Sequence, residues 1–107
     1  MQFPNVNVVG MHFRGPDAKE AAANLEPGQE LRLEREGDNP HDFNAIKVFF
    51  ADLWIGYVER AQAAWIAPNM DEGREFTCVV EEVREVPNAR GKVTMTPVVV
   101  ITAKPDA

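Results

Sequence analysis

The side chains best suited to bind a ligand are crowded into one short loop that precedes an apolar segment. Within residues 37–44 the chain places carboxylates, amides and an imidazole, contributed by Asp38, Asn39, His41, Asp42 and Asn44. Such groups form hydrogen bonds with polar ligands, but Asp and Asn side chains also bond to nearby backbone amides in turns. The composition of the loop therefore permits two interpretations, a shaped turn or a binding site.

Nucleophilic hydrolysis has few candidate residues in this sequence. The chain contains no serine, and its one cysteine, Cys78, lies in the apolar segment FTCVVEEV, where a buried thiol is expected. The threonines all lie in the C-terminal third, far along the chain from His12 and His41. Because an activated nucleophile needs a base beside it, we predict no catalytic residue of this kind.

A metal or cofactor site is also weakly supported. Asp38 and Asp42 have part of the spacing of a calcium loop, but the required glycine and the closing glutamate are missing. The glycines are isolated rather than grouped in a phosphate-binding loop. His12, His41 and Asp42 could meet in space as in a metal-dependent nuclease, which is the least favoured function. We therefore expect a non-catalytic protein without a metal or cofactor.

Length and charge restrict the remaining possibilities. The 107 residues fit one domain, residues 1–107. The formal charge of −6 argues against a partner bound mainly through phosphates, although it allows a small local nucleic-acid site. The N-terminus lacks the basic start and apolar stretch of a signal peptide, and the longest apolar run, VVVI, is too short to span a bilayer. These features predict a cytoplasmic protein with no membrane partner.

The loop must be positioned by a mainly β structure. Apolar alternation and turn residues predict six strands and two short helices. The strands are expected at residues 5–13, 30–36, 45–50, 53–58, 75–86 and 92–102, and the helices at 17–25 and 59–67, the second ended by Pro68. So many short strands around a small core favour a partly closed, OB-like barrel. Pro97 within the last strand indicates a sheet edge or a bulge there.

Three segments resemble the HIRAN domain family. They are VVGMHF (8–13), LRLEREGDNPHDFNAIKVFF (31–50) and IGYVERAQAAWIAPNMDEG (55–73). The resemblance is strongest over residues 6–84, and its most specific part is the block at 39–48, followed at the expected distance by Ile-Gly-Tyr. It implies an OB-like barrel. In DNA translocases that reverse stalled replication forks, this module captures the free 3′-hydroxyl end of single-stranded DNA, so the resemblance implies the same ligand here.

The resemblance also implies which residues contact the strand. The nucleic-acid-binding positions that it transfers to this chain are His12, Phe13, Asn39, His41, Asp42, Tyr57 and Arg60. Phe13 is expected to stack on a base, with His41 as the second candidate, and Asp42 to accept the terminal hydroxyl. Arg14 and Lys47 are further candidates for phosphate contacts.

Several alternatives remain open from the sequence. Phe13 shares the predicted strand face of Val9 and Met11, which equally suits a core position. Tyr57 could be packed with its hydroxyl satisfied, and a partly exposed Trp65 could belong to a contact surface. A rival function is a protein-interaction module that uses its acidic surface and an edge strand, with a partner that supplies enzymatic activity.

Overall fold

A computed structural model describes residues 1–105 as six strands, two α-helices and one 3₁₀ helix. The strands are β1 Gln2–Val9, β2 Glu30–Arg35, β3 Ile46–Phe50, β4 Leu53–Val58, β5 Phe76–Pro87 and β6 Val93–Ala103. The helices are α1 Pro16–Ala23 and α2 Arg60–Asp71, and the 3₁₀ helix is Met11–Arg14. No helix among these described residues is long and apolar enough to cross a membrane.

The strands form one antiparallel barrel in the order β1-β4-β3-β2-β5-β6, and β6 pairs again with β1. The predicted mainly β, six-stranded barrel with two helices is therefore confirmed. The barrel is closed rather than partly closed. Closure gives both ends of the strand series a hydrogen-bonded neighbour, which removes the exposed sheet edges that an open arrangement would leave.

The core lies inside the barrel and under the two helices. Inward positions of the strands carry fully buried aliphatic side chains, among them Val8, Val48, Ile55 and Ile101. Burial of each such side chain contributes roughly 1.5–3 kcal/mol to folding. Both helices add mostly small residues to this core: Ala18 and Ala22 from α1, and Ala63, Ile66 and Ala67 from α2. Small side chains allow the short helices to pack close to the barrel.

The first strand is shorter at its C-terminal end than the predicted 5–13. It ends at Val9 because Gly10 adopts a left-handed conformation, with φ of 79°, and the chain then turns into the 3₁₀ helix. Gly56 on β4 permits this turn, since a Cβ there would lie 2.5 Å from the Val9 carbonyl oxygen. Phe13 therefore lies on a 3₁₀ turn rather than on a strand face with Val9.

The second helix does not end before Pro68, as the sequence suggested, but continues through it to Asp71. Pro68 lacks an amide hydrogen and so cannot bond to the Ala64 carbonyl. Ala64 and Pro68 are both exposed, which leaves that carbonyl to water, while burial of Ile66 and Ala67 holds the helix in place. The helix stops after Asp71, with Glu72 as its C-cap, and Gly73 follows with a φ of +92°.

The β5–β6 hairpin extends beyond the barrel wall. Strand β1 pairs with β6 only up to Val98, so residues 93–97 of β6 pair with β5 alone. Pro97 is the residue of this one-sided region that lies nearest to the barrel. The register of β5 shifts between Val80 and Glu82, close to Val83, which pairs with Pro97. The expectation of an edge or bulge at Pro97 thus matches both features.

Candidate functional site

Asn39 organises the polar loop through its side-chain amide. Its Oδ1 accepts hydrogen bonds from the backbone amides of His41, at 2.8 Å, and Asp42, at 3.2 Å. Its Nδ2 donates to Glu36 Oε1 at 2.7 Å. One side chain therefore closes the turn and anchors it to the end of β2, which is how Asn stabilises a tight turn.

Asp42 uses one carboxylate oxygen within the loop. Its Oδ1 accepts a 2.9 Å hydrogen bond from the Asn44 amide, and its backbone carbonyl accepts one from the Ala45 amide at 3.1 Å. No hydrogen bond within residues 1–105 involves Oδ2, and the residue is half-buried. The turn and ligand interpretations are therefore compatible, because Asp42 shapes the loop with one oxygen while the other makes no hydrogen bond among the described residues.

Arg35 holds the far side of the loop. Its guanidinium donates to the carbonyl of Ala45 at 2.7 Å, to that of Phe43 at 2.8 Å, and to both carboxylate oxygens of Asp71 at 2.9 and 3.1 Å. The hydrogen bonds from Arg35 lower the pKa of Asp71. The loop backbone is thus fixed to helix α2, while the side chains of His41 and Phe43 are exposed, Phe43 to 73%.

Glu36 is the centre of a second hydrogen-bonded group. Its carboxylate accepts from the Tyr57 hydroxyl at 2.8 Å, from Lys47 Nζ at 3.0 Å, and from Asn39. Burial alone raises the pKa of Glu36, but these hydrogen bonds and the charge of Lys47 outweigh it and lower the pKa. Burial, together with the bond to Glu36, raises the pKa of Tyr57 to about 12. The Tyr57 hydroxyl is therefore satisfied within the protein.

Two of the predicted phosphate contacts converge on one aromatic ring. The guanidinium of Arg14 lies 3.4 Å from the centre of the Trp54 ring, and Lys47 Nζ lies 4.5 Å from it. Tyr57 meets the same ring edge-on, with 5.4 Å between the ring centres. Trp54 Nε1 donates to the Gly56 carbonyl at 2.9 Å, which fixes the indole. Cation–π attraction therefore holds both positive groups at the Trp54 ring.

Phe13 is exposed to 78%, so the alternative that it belongs to the core is wrong. Its ring lies next to that of His12, with 3.9 Å between the ring centres. His12 also lines a hollow of about 590 Å³ between helix α1 and the hairpin, with Lys19 and Lys92 among its walls. That volume is in the range of small-ligand sites, about 300–1,000 Å³.

The 3₁₀ helix thus connects the hollow beside helix α1 with the group of side chains around Trp54. His12 and Phe13 present rings beside the hollow, and Arg14 reaches back to Trp54. Arg60 is not brought into this group: it is exposed at the start of helix α2, and no ion pair or hydrogen bond within residues 1–105 involves its side chain. Its contact with nucleic acid stays a prediction.

The residues considered for a metal-dependent nuclease do not cluster. Within the part of the chain that the structure describes, no group of three or more His, Cys, Asp or Glu side chains is arranged to hold a metal ion. His12, His41 and Asp42 are therefore not such a group. Cys78 is buried, as expected, and burial raises the pKa of its thiol to about 12.

Four residues of the site were not found from the sequence: Arg35, Glu36, Phe43 and Trp54. Arg35 had a usable signal, since it continues the inward alternation of Leu31 and Leu33, where a charged residue needs a partner. Trp54 lies in an apolar strand, and nothing in the local pattern predicts that two cations would lie on its ring.

The comparisons with known proteins agree with this architecture. The family model of the HIRAN domain matches residues 2–101. A protein from Lactobacillus plantarum, known from a crystal structure, is 25% identical in sequence to this chain. The match covers 97% of this chain and 96% of that protein's chain, with a TM-score of 0.70. The crystal structure of the HIRAN domain of human HLTF is 22% identical, with coverage of 95% and 74% and a TM-score of 0.69. No curated protein sequence is similar enough to count as a match.

Proposed function

The chain belongs to the HIRAN domain family, a family known for DNA binding, and on that premise we propose that it binds single-stranded DNA at its free 3′-hydroxyl end. The observation that carries the proposal is the 3₁₀ helix, which combines two exposed rings, His12 and Phe13, with a cation held on Trp54. Exposed rings stack on bases of any sequence, and nearby cations meet the phosphates.

The local charge of this surface differs from that of the whole chain. Arg14 and Lys47 meet at Trp54, and the adjacent hollow is lined by Lys19 and Lys92 as well as by Glu20, so cations outnumber carboxylates here although the net charge of the protein is −6. Glu36 neutralises Lys47 in part, through the 3.0 Å contact. Few free cations remain for phosphates, so the site suits a short segment of two or three nucleotides and a shallow salt dependence.

Asp42 supports selection of a strand end. A carboxylate repels the phosphodiester of a continuing strand but accepts a charge-assisted hydrogen bond from a terminal hydroxyl. The loop is held on both sides, by Asn39 and by Arg35, so Oδ2 of Asp42 is presented by a preformed backbone. Preorganisation of this kind lowers the entropic cost of binding.

The test compares one labelled oligonucleotide with a 3′-hydroxyl and its twin with a 3′-phosphate, by fluorescence anisotropy. Asp42→Asn is the informative variant, because an amide oxygen can still accept the Asn44 amide and keep the turn. We expect it to weaken binding of the hydroxyl-ended strand by about 10-fold, the loss of one charge-assisted bond, and to narrow the difference between the two ends. Asp38→Asn, an equal charge change at an exposed position of the same loop, is the control and should change neither affinity.

Each outcome has a separate meaning. Equal affinity of the wild-type protein for both ends would contradict recognition of the 3′ end and would support general binding to single strands. No binding to either oligonucleotide would remove the DNA proposal. An equal effect of Asp42→Asn and Asp38→Asn would show that only the net charge of the loop matters.

A protein partner is a second candidate function, supported by the hairpin that extends beyond the barrel. Residues 93–97 of β6 have no strand on their outer side within the described chain, and Val93 is exposed. An extended peptide could add as a strand along this edge. The outer side of β5 is less suitable, since Glu81, Glu82 and Glu85 line it with charge. Crosslinking to a peptide from the exposed position 93 or 94, in the absence of DNA, would distinguish this function from DNA binding.

A further inference from the structure

Helix α2 is apolar on its outward side as well as on its buried side. Ala63, Ile66 and Ala67 face the barrel. The opposite stripe consists of Ala61, Ala64, Trp65 and Pro68, all exposed, with Trp65 at 76%. A surface helix normally carries polar or charged residues on that side, and an exposed apolar patch on a folded protein indicates a contact surface.

A hollow of about 200 Å³ lies beside this stripe, between helix α2 and strand β1. Its walls include Phe3, Pro4, Trp65 and Ile66. Gln62 fixes their spacing: its Nε2 donates to the Asn5 carbonyl at 2.8 Å, and its Oε1 accepts from the Asn7 amide at 2.8 Å. The hollow is therefore preformed rather than a gap that could close, which favours an incoming apolar side chain.

The charge of this face restricts what can cover it. Residues 61–70, AQAAWIAPNM, contain no charged residue, in a chain that is 26% charged. The exposed charges Arg60 and Glu72 lie at the two ends of the helix and have opposite signs. A nucleic-acid strand would need several cations beside Trp65, and a charged protein partner would need a rim of one sign to steer it. A second copy of this chain needs neither. Two copies with net charge −6 repel each other, and this uncharged face is one on which they can meet without placing acidic groups together.

We propose that this face, defined as Phe3, Pro4 and the α2 stripe, binds the same face of a second copy around a two-fold axis. A two-fold interface requires a surface that is complementary to itself. The small residues Ala61 and Ala64 allow two helices to approach closely, and the indole of Trp65 supplies a protrusion beside a matching hollow. The stripe covers only about two helical turns, so the dimer is weak and its population depends on concentration.

The face is separate from the 3₁₀ helix on which the DNA proposal rests. Pro4 lies near the start of strand β1 and Val9 at its end, roughly 16 Å apart at 3.3 Å per residue. Trp65 packs beside the first end, and the 3₁₀ helix with Phe13 follows the second. The proposal does not depend on the proposed function, and two copies would present two DNA sites.

Sedimentation equilibrium and light scattering over a concentration series into the millimolar range test this proposal. We expect the weight-average mass to rise from 11.9 kDa towards twice that value with increasing concentration. Trp65→Glu and Ala64→Arg should each shift the midpoint of that rise at least 10-fold upwards, because each places charges face to face. Phe13→Glu is the matched control, an equally exposed aromatic residue that gains the same charge. It should dimerise like the wild type, while its binding to DNA is reduced.

Three results would overturn the proposal. They are a wild-type protein that stays at the monomer mass throughout, dimerisation that persists in both Trp65→Glu and Ala64→Arg, and loss of dimerisation in Phe13→Glu as well. Circular dichroism of each variant shows that the barrel is folded before its mass is compared. DNA binding measured on the same samples separates failure of this interface from failure of the proposed function.

Discussion

Tyr57 on β4 and Glu36 at the end of β2 are joined by a 2.8 Å hydrogen bond that crosses the intervening strand β3. Lys47 of β3 lies directly opposite Tyr57 in the sheet and contacts the same carboxylate at 3.0 Å. Three neighbouring strands are thus tied by side chains as well as by their backbone ladders. Because the polar loop begins at Glu36, this tie fixes the loop to the barrel.

The Tyr57 hydroxyl should titrate far above its ordinary range. Its pKa is raised to about 12 from 10.0, by burial and by the bond to Glu36. Tyr57 is the one tyrosine of the chain, so the near-ultraviolet absorbance of tyrosinate reports it directly. We expect a midpoint near pH 12 in the folded protein, and one near 10 in urea.

One variant separates the contribution of Glu36 to the pKa of Tyr57 from that of burial. Glu36→Gln removes the negative charge beside the hydroxyl while keeping an acceptor, and should lower the Tyr57 midpoint towards 10. An unchanged midpoint in Glu36→Gln would mean that burial alone sets the pKa. A wild-type midpoint at the urea value would mean that the Tyr57 hydroxyl is neither buried nor bonded to Glu36 in solution.

Acid should destabilise the protein partly through Glu36. Its pKa in the folded state lies below the ordinary 4.5, so the folded state binds this proton more weakly than the unfolded state. The contribution is complete above about pH 4.5 and is lost as the pH falls through the lowered value. Urea midpoints measured from pH 7 to pH 3 should therefore fall less in Glu36→Gln than in the wild type. Glu81→Gln, at an exposed carboxyl, should follow the wild-type curve.

The barrel could be predicted from the sequence because its signals are local. Alternation in segments such as ELRLERE, and turn residues between them, locate strands without knowledge of their partners. The boundaries that failed depend on tertiary contacts. Pro68 continues a helix because its neighbours Ile66 and Ala67 are buried, and β1 ends at Val9 because Gly56 admits the turn against β4.

Arg14, Lys47 and Tyr57 were expected at the site, but the bonds within the site could be predicted only for the loop. Asn39 and Asp42 lie in a turn whose residue types predict hydrogen bonds between side chains and backbone, and the structure contains those bonds. Arg35 and Trp54 act through residues distant in the sequence: Arg35 through Asp71, and Trp54 through Arg14. No periodicity in one sequence encodes such pairs, since they arise only once the barrel closes.

Removal of the Asn39 side chain should destabilise the loop more than its exposure suggests. Asn39→Ala loses two acceptor bonds to the loop backbone and one donor bond to Glu36, which corresponds to roughly 1–3 kcal/mol in the free energy of unfolding. Urea denaturation measures the loss. Asn24→Ala removes a single exposed bond to a helix carbonyl and should cost less than 1 kcal/mol, roughly. Equal costs for the two variants would show that the loop does not depend on Asn39.

Arg14 should contribute to DNA binding by its place on Trp54 as well as by its charge. The guanidinium carbon lies 3.4 Å from the centre of the Trp54 ring, and contact of a cation with an aromatic face suits Arg better than Lys. Arg14→Ala should weaken binding of a short single strand and reduce the slope of log affinity against log salt by about 0.7, the value for one phosphate of a single strand. Arg14→Lys should keep that slope yet recover only part of the affinity. Lys104→Ala, a cation paired with Glu75 and outside the site, is the control and should change neither quantity. A salt slope that is the same for Arg14→Ala and the wild type would show that Arg14 orders Trp54 without meeting a phosphate.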